Sequence, residues 1–119
     1  MKHQIGRKKL NLKSSHRKAL LRNQTIHLIT FGHLTTSKTT AKEVQRFAEK
    51  LVTVAREGNH FNVRRRALAL LPYKEEALTK LFKEIAPRYV DRPGGYTRLI
   101  PLGQRISDTA QIARLEWVI

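Results

Sequence analysis

The chain has no cysteine among its 119 residues, which removes disulfides, thiolate nucleophiles and cysteine-based zinc sites in one step. A reducing compartment is compatible with that composition. Its apolar runs reach only a few residues, far short of the roughly 20 that a bilayer-spanning helix needs. No apolar signal-peptide core accompanies the basic N-terminal segment, so neither membrane insertion nor signal-directed export is expected. Catalytic patterns are also thin. His3, His16, His27, His33 and His60 include no HExxH spacing, and no Walker or GxGxxG loop is present. Asp91 and Asp108 are the only aspartates, each in a segment that reads as a loop. No metal, cofactor or small-molecule substrate is expected.

Carboxylates are scarce, and their absence is localised. The first in the chain is Glu43, and ten lysines and arginines precede it. Across the whole chain 24 basic residues face nine acidic ones, a net charge of +15. The segment 1–42 therefore carries +10, and the remainder, with 14 basic against nine acidic residues, carries +5. Self-repulsion at this density opposes compaction unless a polyanion screens it. An organelle transit peptide has a similar acid-poor, arginine-rich character, so an organellar origin stays open beside a cytoplasmic one.

A chain of this length supports one modest hydrophobic core and excludes two large domains. Residues 1–13 hold only Ile5, Leu10 and Leu12 among charges and amides. They cannot bury enough surface to order themselves, and are read as an extended basic arm ahead of one domain over 14–119. Ser14 and Ser15 suit a helix cap, with Ala19, Leu20, Ile26, Leu28 and Ile29 giving a partly apolar face that ends before Gly32. The β-branched residues in 33–37 predict a short strand. Thr40 and Glu43 have capping-box spacing, and Val44, Phe47, Ala48, Leu51, Val52 and Ala55 recur at helical intervals up to Gly58. A third helix is predicted over 62–71, stopped by Pro72, and a fourth over 74–86, stopped by Pro87. Two antiparallel strands are predicted over 96–102 and 112–118, with Ala113, Leu115, Trp117 and Ile119 inward. Pro101 argues for a sheet edge or a bulge. The fold class is α+β: about four helices packed with a small mixed or antiparallel sheet.

Three basic constellations stand out on these elements. Lys38, Lys42, Arg46 and Lys50 are spaced by four, a stripe on which a phosphate chain could lie or a plain solvated face. Arg64, Arg65 and Arg66 fan across a helix at about 100° per residue, so they cannot share one ligand. The segment RPGGYTR, residues 92–98, sets guanidinium groups and an aromatic ring around two glycines. Pro93 and Gly94 fit the centre of a type II turn, either to let the backbone approach a phosphate or merely to enter a strand.

A partner with regularly spaced negative charge accounts for the acid-free segment, because each neutralised phosphate releases counterions. Lys8, Lys9 and Lys13 belong to that segment, and Lys, Arg, Asn and Ser all donate to phosphates. Charge alone does not separate RNA from DNA, so a DNA-compacting protein remains an alternative. A small basic ribonuclease, with His16 or His60 as general base, is another.

The runs GRKKLNLKSSHRKALLRN (6–23), TTSKTTAKE (35–43) and LFKEIAPRYVDRPGGYTR (81–98) resemble the seventeenth protein family of the bacterial large ribosomal subunit. The resemblance spans essentially the full chain. It implies a structural constituent of the large subunit, not an enzyme, that binds large-subunit rRNA near the peptide exit tunnel beside neighbouring ribosomal proteins. By matching positions it implies RNA contacts from Arg7, Asn11, Ser14, Ser15, His16, Arg17, Arg22 and Asn23, and further from Lys42, Arg88, Arg92, Gly94, Gly95, Tyr96, Thr97 and Arg98. Arg46 joins them through the stripe. Thr39 and Thr40 stand where the family usually has Pro-Lys, and Ser107-Asp108 and Ala110-Gln111 where it usually has Gly-Asp and Ala-Pro. Those departures leave the start of the second helix and the shape of the last hairpin open.

Overall fold

The computed structural model describes residues 13–72 and 75–118. The arm expected over 1–13, with Arg7, Lys8, Lys9 and Asn11, therefore lies outside the described residues apart from Lys13, as does Ile119.

Helix α1 spans Ser14–Phe31 and ends where Gly32 turns left-handed at φ +83°, its N–H donating to Leu28 O at 2.9 Å. Glycine reaches that conformation without the Cβ penalty other residues incur. Ser14 and Ser15 are the first helical residues and not caps: Lys13 holds the capping position, and no side chain closes the end. Burial is confined to the C-terminal half, at Thr25, Leu28 and Ile29. The Thr25 hydroxyl donates to Leu21 O at 2.7 Å, so this buried polar group is satisfied within the helix.

Strand β1, His33–Ser37, runs directly into α2, Lys38–Ala55. The expected capping box at Thr40 and Glu43 is displaced: Ser37 caps the helix by position, and its hydroxyl donates to Thr40 Oγ1 at 2.9 Å. Ala41, Val44, Ala48, Leu51, Val52 and Ala55 are buried at three- and four-residue spacing, so α2 forms the spine of the core. Phe47 is half-buried and packs against that core. Helix α3, Phe61–Leu70, turns Val63 and Ala67 inward. Helix α4 covers only Glu75–Lys80, and the chain continues as a π-helical turn, Leu81–Ile85, and a 3₁₀ turn, Ala86–Tyr89. The single helix expected over 74–86 is thus broken. Pro87 has no N–H to donate backwards, and it sits in the opening turn of the 3₁₀ segment, where none is required.

Strands β2, Thr97–Gln104, and β3, Gln111–Trp117, complete a three-stranded antiparallel sheet in the order β1-β3-β2. Pro101 lies on the edge strand β2 at a bulge between Pro101 and Gly103, where a missing N–H breaks no ladder. Ala113, Leu115 and Trp117 are buried on alternate positions of β3, as the period of two predicts. Two long-range hydrogen bonds lock the sheet to the helices. Trp117 Nε1 donates to Leu28 O at 3.2 Å, and the Tyr89 hydroxyl donates to Val118 O. The architecture is α+β, with the sheet packed on α2 and the C-terminal end of α1.

Candidate nucleic-acid interface

Helix α1 has no acidic residue in its first turn, although a helix N-terminus favours negative charge and leaves four N–H groups without intrahelical partners. Cations stand there instead. Lys13, Ser14, Ser15, His16, Lys18 and Asn23 are exposed and Arg17 is half-buried. Lys13, Arg17 and Lys18 form no ion pair among the described residues. Donor side chains, free amide groups and uncompensated positive charge thus converge at one end of one helix. A phosphate would relieve both the repulsion and the missing hydrogen bonds.

Arg22 differs from its neighbours. Its Nε donates to Leu70 O at 3.1 Å, so the half-buried guanidinium bonds to a carbonyl at the C-terminal end of α3. That is where a cation complements the helix dipole, and Arg22 therefore has a structural task whatever else it touches. Lys80 does the same for α1, donating to Thr30 O at 2.9 Å. Neither cap is visible in the sequence, because the partners lie 48 and 50 residues apart.

A second group of candidates gathers along α2. Gln45 Nε2 donates to Thr97 O at 3.4 Å, and Glu49 accepts from Thr97 N at 3.1 Å and Thr97 Oγ1 at 2.8 Å. Further along, Arg56 donates to the Arg92 carbonyl. Segment 92–97 is thereby strapped to the face of α2 that carries Gln45, Glu49 and Arg56. At about 100° per residue, Lys42 lies roughly 20° and Arg46 roughly 60° from Glu49 around the helix. Both therefore share the face that holds the segment, at the end where Thr97 is anchored, while Arg92 is held at Arg56, about 21 Å along the axis from Lys42 and about 15 Å from Arg46. Arg56 was missed among the site residues, since its role depends on a carbonyl 36 positions away.

Tyr96 and Thr97, expected to face RNA, are instead part of the core. Tyr96 is 1% exposed and packs against Tyr89 with the rings tilted by 53° and their centroids 5.1 Å apart, its hydroxyl 3.3 Å from Thr53 Oγ1. Thr97 is occupied by Glu49. The turn before them also differs from the type II expectation: Gly94 has φ +152° and Gly95 +64°, so the left-handed residue is the second glycine. A Cβ on either glycine would meet nothing within 4 Å, so backbone conformation and not crowding selects them. Arg88 and Arg92 are exposed and flank Tyr89, whose hydroxyl is held above its ordinary value chiefly by burial, against the opposing pull of those two arginines.

Some cations already have carboxylate partners. Arg98 and Arg114 both bond Glu116 across the outer face of the sheet, at 2.8 and 3.0 Å, and the Arg98 hydrogen bond is the main reason the Glu116 carboxyl lies below its usual range. Arg46 stands 3.8 Å from Glu43, a long contact for a side chain that is 68% exposed. Arg66 pairs with Glu57, while Arg64 and Arg65 point away from the core. Among the described residues, no cluster of three His, Cys, Asp or Glu could hold a metal ion, and no helix is long and apolar enough to cross a membrane.

Comparison with known proteins follows the same line. The sequence model of the family described as ribosomal protein L17 matches residues 20–118. The chain is 48% identical to the large ribosomal subunit protein bL17 of Erythrobacter litoralis, over 99% of this chain and 83% of that one. It is 46% identical to the protein of the same name from Desulforudis audaxviator, over 96% of this chain and all of the relative. For the one from Borrelia turicatae, identity is 47% over 99% of this chain and 94% of the relative.

Proposed function

Because the chain belongs to the ribosomal protein L17 family, we propose that it is a structural constituent of the large ribosomal subunit that binds large-subunit rRNA near the peptide exit tunnel. Membership of that family makes it a structural component and not an enzyme. The N-terminal end of α1, together with the basic segment before it, carries the main contact. Lys42, Arg46, Arg88, Arg92, Gly94, Gly95 and Arg98 supply further contacts. Tyr96 and Thr97 act there by holding the glycine segment in place. Neighbouring large-subunit proteins complete the environment, in the cytoplasm or in an organelle with a ribosome of bacterial type.

The observation that carries this reading is the contrast between the two charge populations. Arg98, Arg105 and Arg114 on the sheet and its hairpin are matched by Glu116 and Asp108. Among the described residues Lys13, Arg17 and Lys18 have no such match, and α1 contains no carboxylate of its own. Unmatched charge raises the free energy of the isolated fold and is released by a polyanion. The test is co-sedimentation of the endogenous protein with large subunits through a high-salt wash. Retention is expected, and quantitative loss into the soluble fraction would sink the proposal.

A further inference from the structure

One face of α3 and the facing side of α4 enclose a groove of about 480 Å³ that the α1 surface does not use. On α3 the lining is Phe61, Arg64, Arg65 and Leu68, spaced at i, i+3, i+4 and i+7, so these four share one face. Leu78 and Phe82 meet them from the other wall, with Glu75 and Lys83 at its ends. Phe61 is 75% exposed, and the Arg65 guanidinium lies 5.6 Å from its ring centroid. A single exposed phenylalanine is ordinary. Here the ring faces a cleft whose volume falls in the range of about 300–1,000 Å³ typical of small-ligand sites.

Charge and lining choose the occupant. Arg64, Arg65 and Lys83 against Glu75 leave the groove at +2. Six of the ten lining residues are polar or charged, too many for the continuous apolar trough that an amphipathic helix fills. A flat aromatic group carrying negative charge satisfies both halves of this surface. We propose that the α3–α4 groove receives one unstacked nucleotide of the rRNA, its base stacked on Phe61 and its phosphate held by Arg64 or Lys83. The Arg65 guanidinium, now 5.6 Å from the ring centroid, swings outward to admit the base and then offers it a second planar surface. Asn59, also in the lining, can bond a base edge, whereas Thr79, whose hydroxyl donates to Glu75 O at 2.9 Å, can only accept from one. This site rests on the proposed rRNA binding but is distinct from the α1 contact.

The test is base-specific chemical probing of large-subunit rRNA bound to the full chain, comparing wild type with Phe61→Ala and Phe61→Trp. A base protected by the wild type becomes reactive with Phe61→Ala and stays protected with Phe61→Trp, while the remaining protections persist. Affinity falls about tenfold for Phe61→Ala, the loss expected of one stacked base. Far-UV circular dichroism controls for folding, and Arg65→Gln, a surface change, repeats the measurement independently. An unchanged protection pattern and affinity in both variants overturns the groove site while leaving the α1 contact standing. Absence of any protection by the wild type overturns the rRNA reading itself. If Phe61→Ala leaves RNA alone untouched but releases the chain from particles assembled with ribosomal proteins, the occupant is a protein and the nucleotide proposal fails.

Discussion

Replacing Lys13, Arg17 and Lys18 by glutamine tests the α1 contact without disturbing the fold. The three positions lie within an arc of about 140° at the start of the helix, so one nucleic-acid surface can reach all of them. Each phosphate contact contributes roughly 0.7 to 0.9 to the slope of log affinity against log salt. The triple variant should therefore flatten that slope by about 2 to 3. At about 0.1 M salt the lost factor is roughly sixfold per contact and about 200-fold for three. Stability moves the other way. These cations oppose the dipole at an end with no acidic residue, so their removal should stabilise the free protein by about 0.3–1 kcal/mol for each charge within the first turn; glutamine nearly matches lysine and arginine in helix propensity. Arg22 is left alone because its bond to Leu70 O would mix folding with binding. Titration of large-subunit rRNA over a salt series reads the slope, and urea unfolding reads the stability. A variant that binds with the wild-type slope would refute the argument, and so would one that loses affinity only because it has become less stable.

Two further outcomes follow from the packing. Tyr96→Phe keeps the buried ring and should leave rRNA affinity unchanged, with at most about 1.5 kcal/mol lost through the contact to Thr53. Tyr96→Ala should cost about 3–5 kcal/mol in denaturant unfolding, and weaker rRNA binding by a stably folded Tyr96→Phe would assign the hydroxyl to the interface. The Arg105 hydrogen bond, with help from the Ala110 N–H, lowers the Asp108 carboxyl from 3.8 to about 2. A depressed carboxylate supports its hairpin above the unfolded value and loses that support as pH falls through about 2. The Ala110 amide, 3.1 Å from Asp108 Oδ1, should accordingly titrate by NMR near the lower value; a midpoint near 3.8 would show that the Arg105–Asp108 pair does not hold in solution.

Much of the fold was legible because periodicity reports on burial directly. Ala113, Leu115 and Trp117 alternate and Val44, Ala48, Leu51 and Ala55 recur at three or four, so each set was assigned to its correct face. Errors arose where a neighbour in space outweighed the local pattern. Ser37 took the helix start from Thr40, the chain widened into a π turn over 81–85 and tightened into a 3₁₀ turn around Pro87, and the left-handed position fell on Gly95. Tyr96 misled for another reason: an aromatic residue between glycines and arginines has the composition of an RNA contact, and only Tyr89 and Thr53 identify it as core.

By itself the sequence determined how much positive charge this protein carries and that two-thirds of the excess falls within residues 1–42. Charge accumulates residue by residue, whatever the conformation. Tertiary structure alone decided which cations remain unmatched, because pairing depends on atoms brought within a few ångströms of each other. That proximity gave Arg22 a helix end, Arg56 a carbonyl and Arg98 a carboxylate, and it set Phe61 and Arg65 across a groove from α4. The partners are mostly tens of residues apart along the chain, at distances that no local pattern encodes.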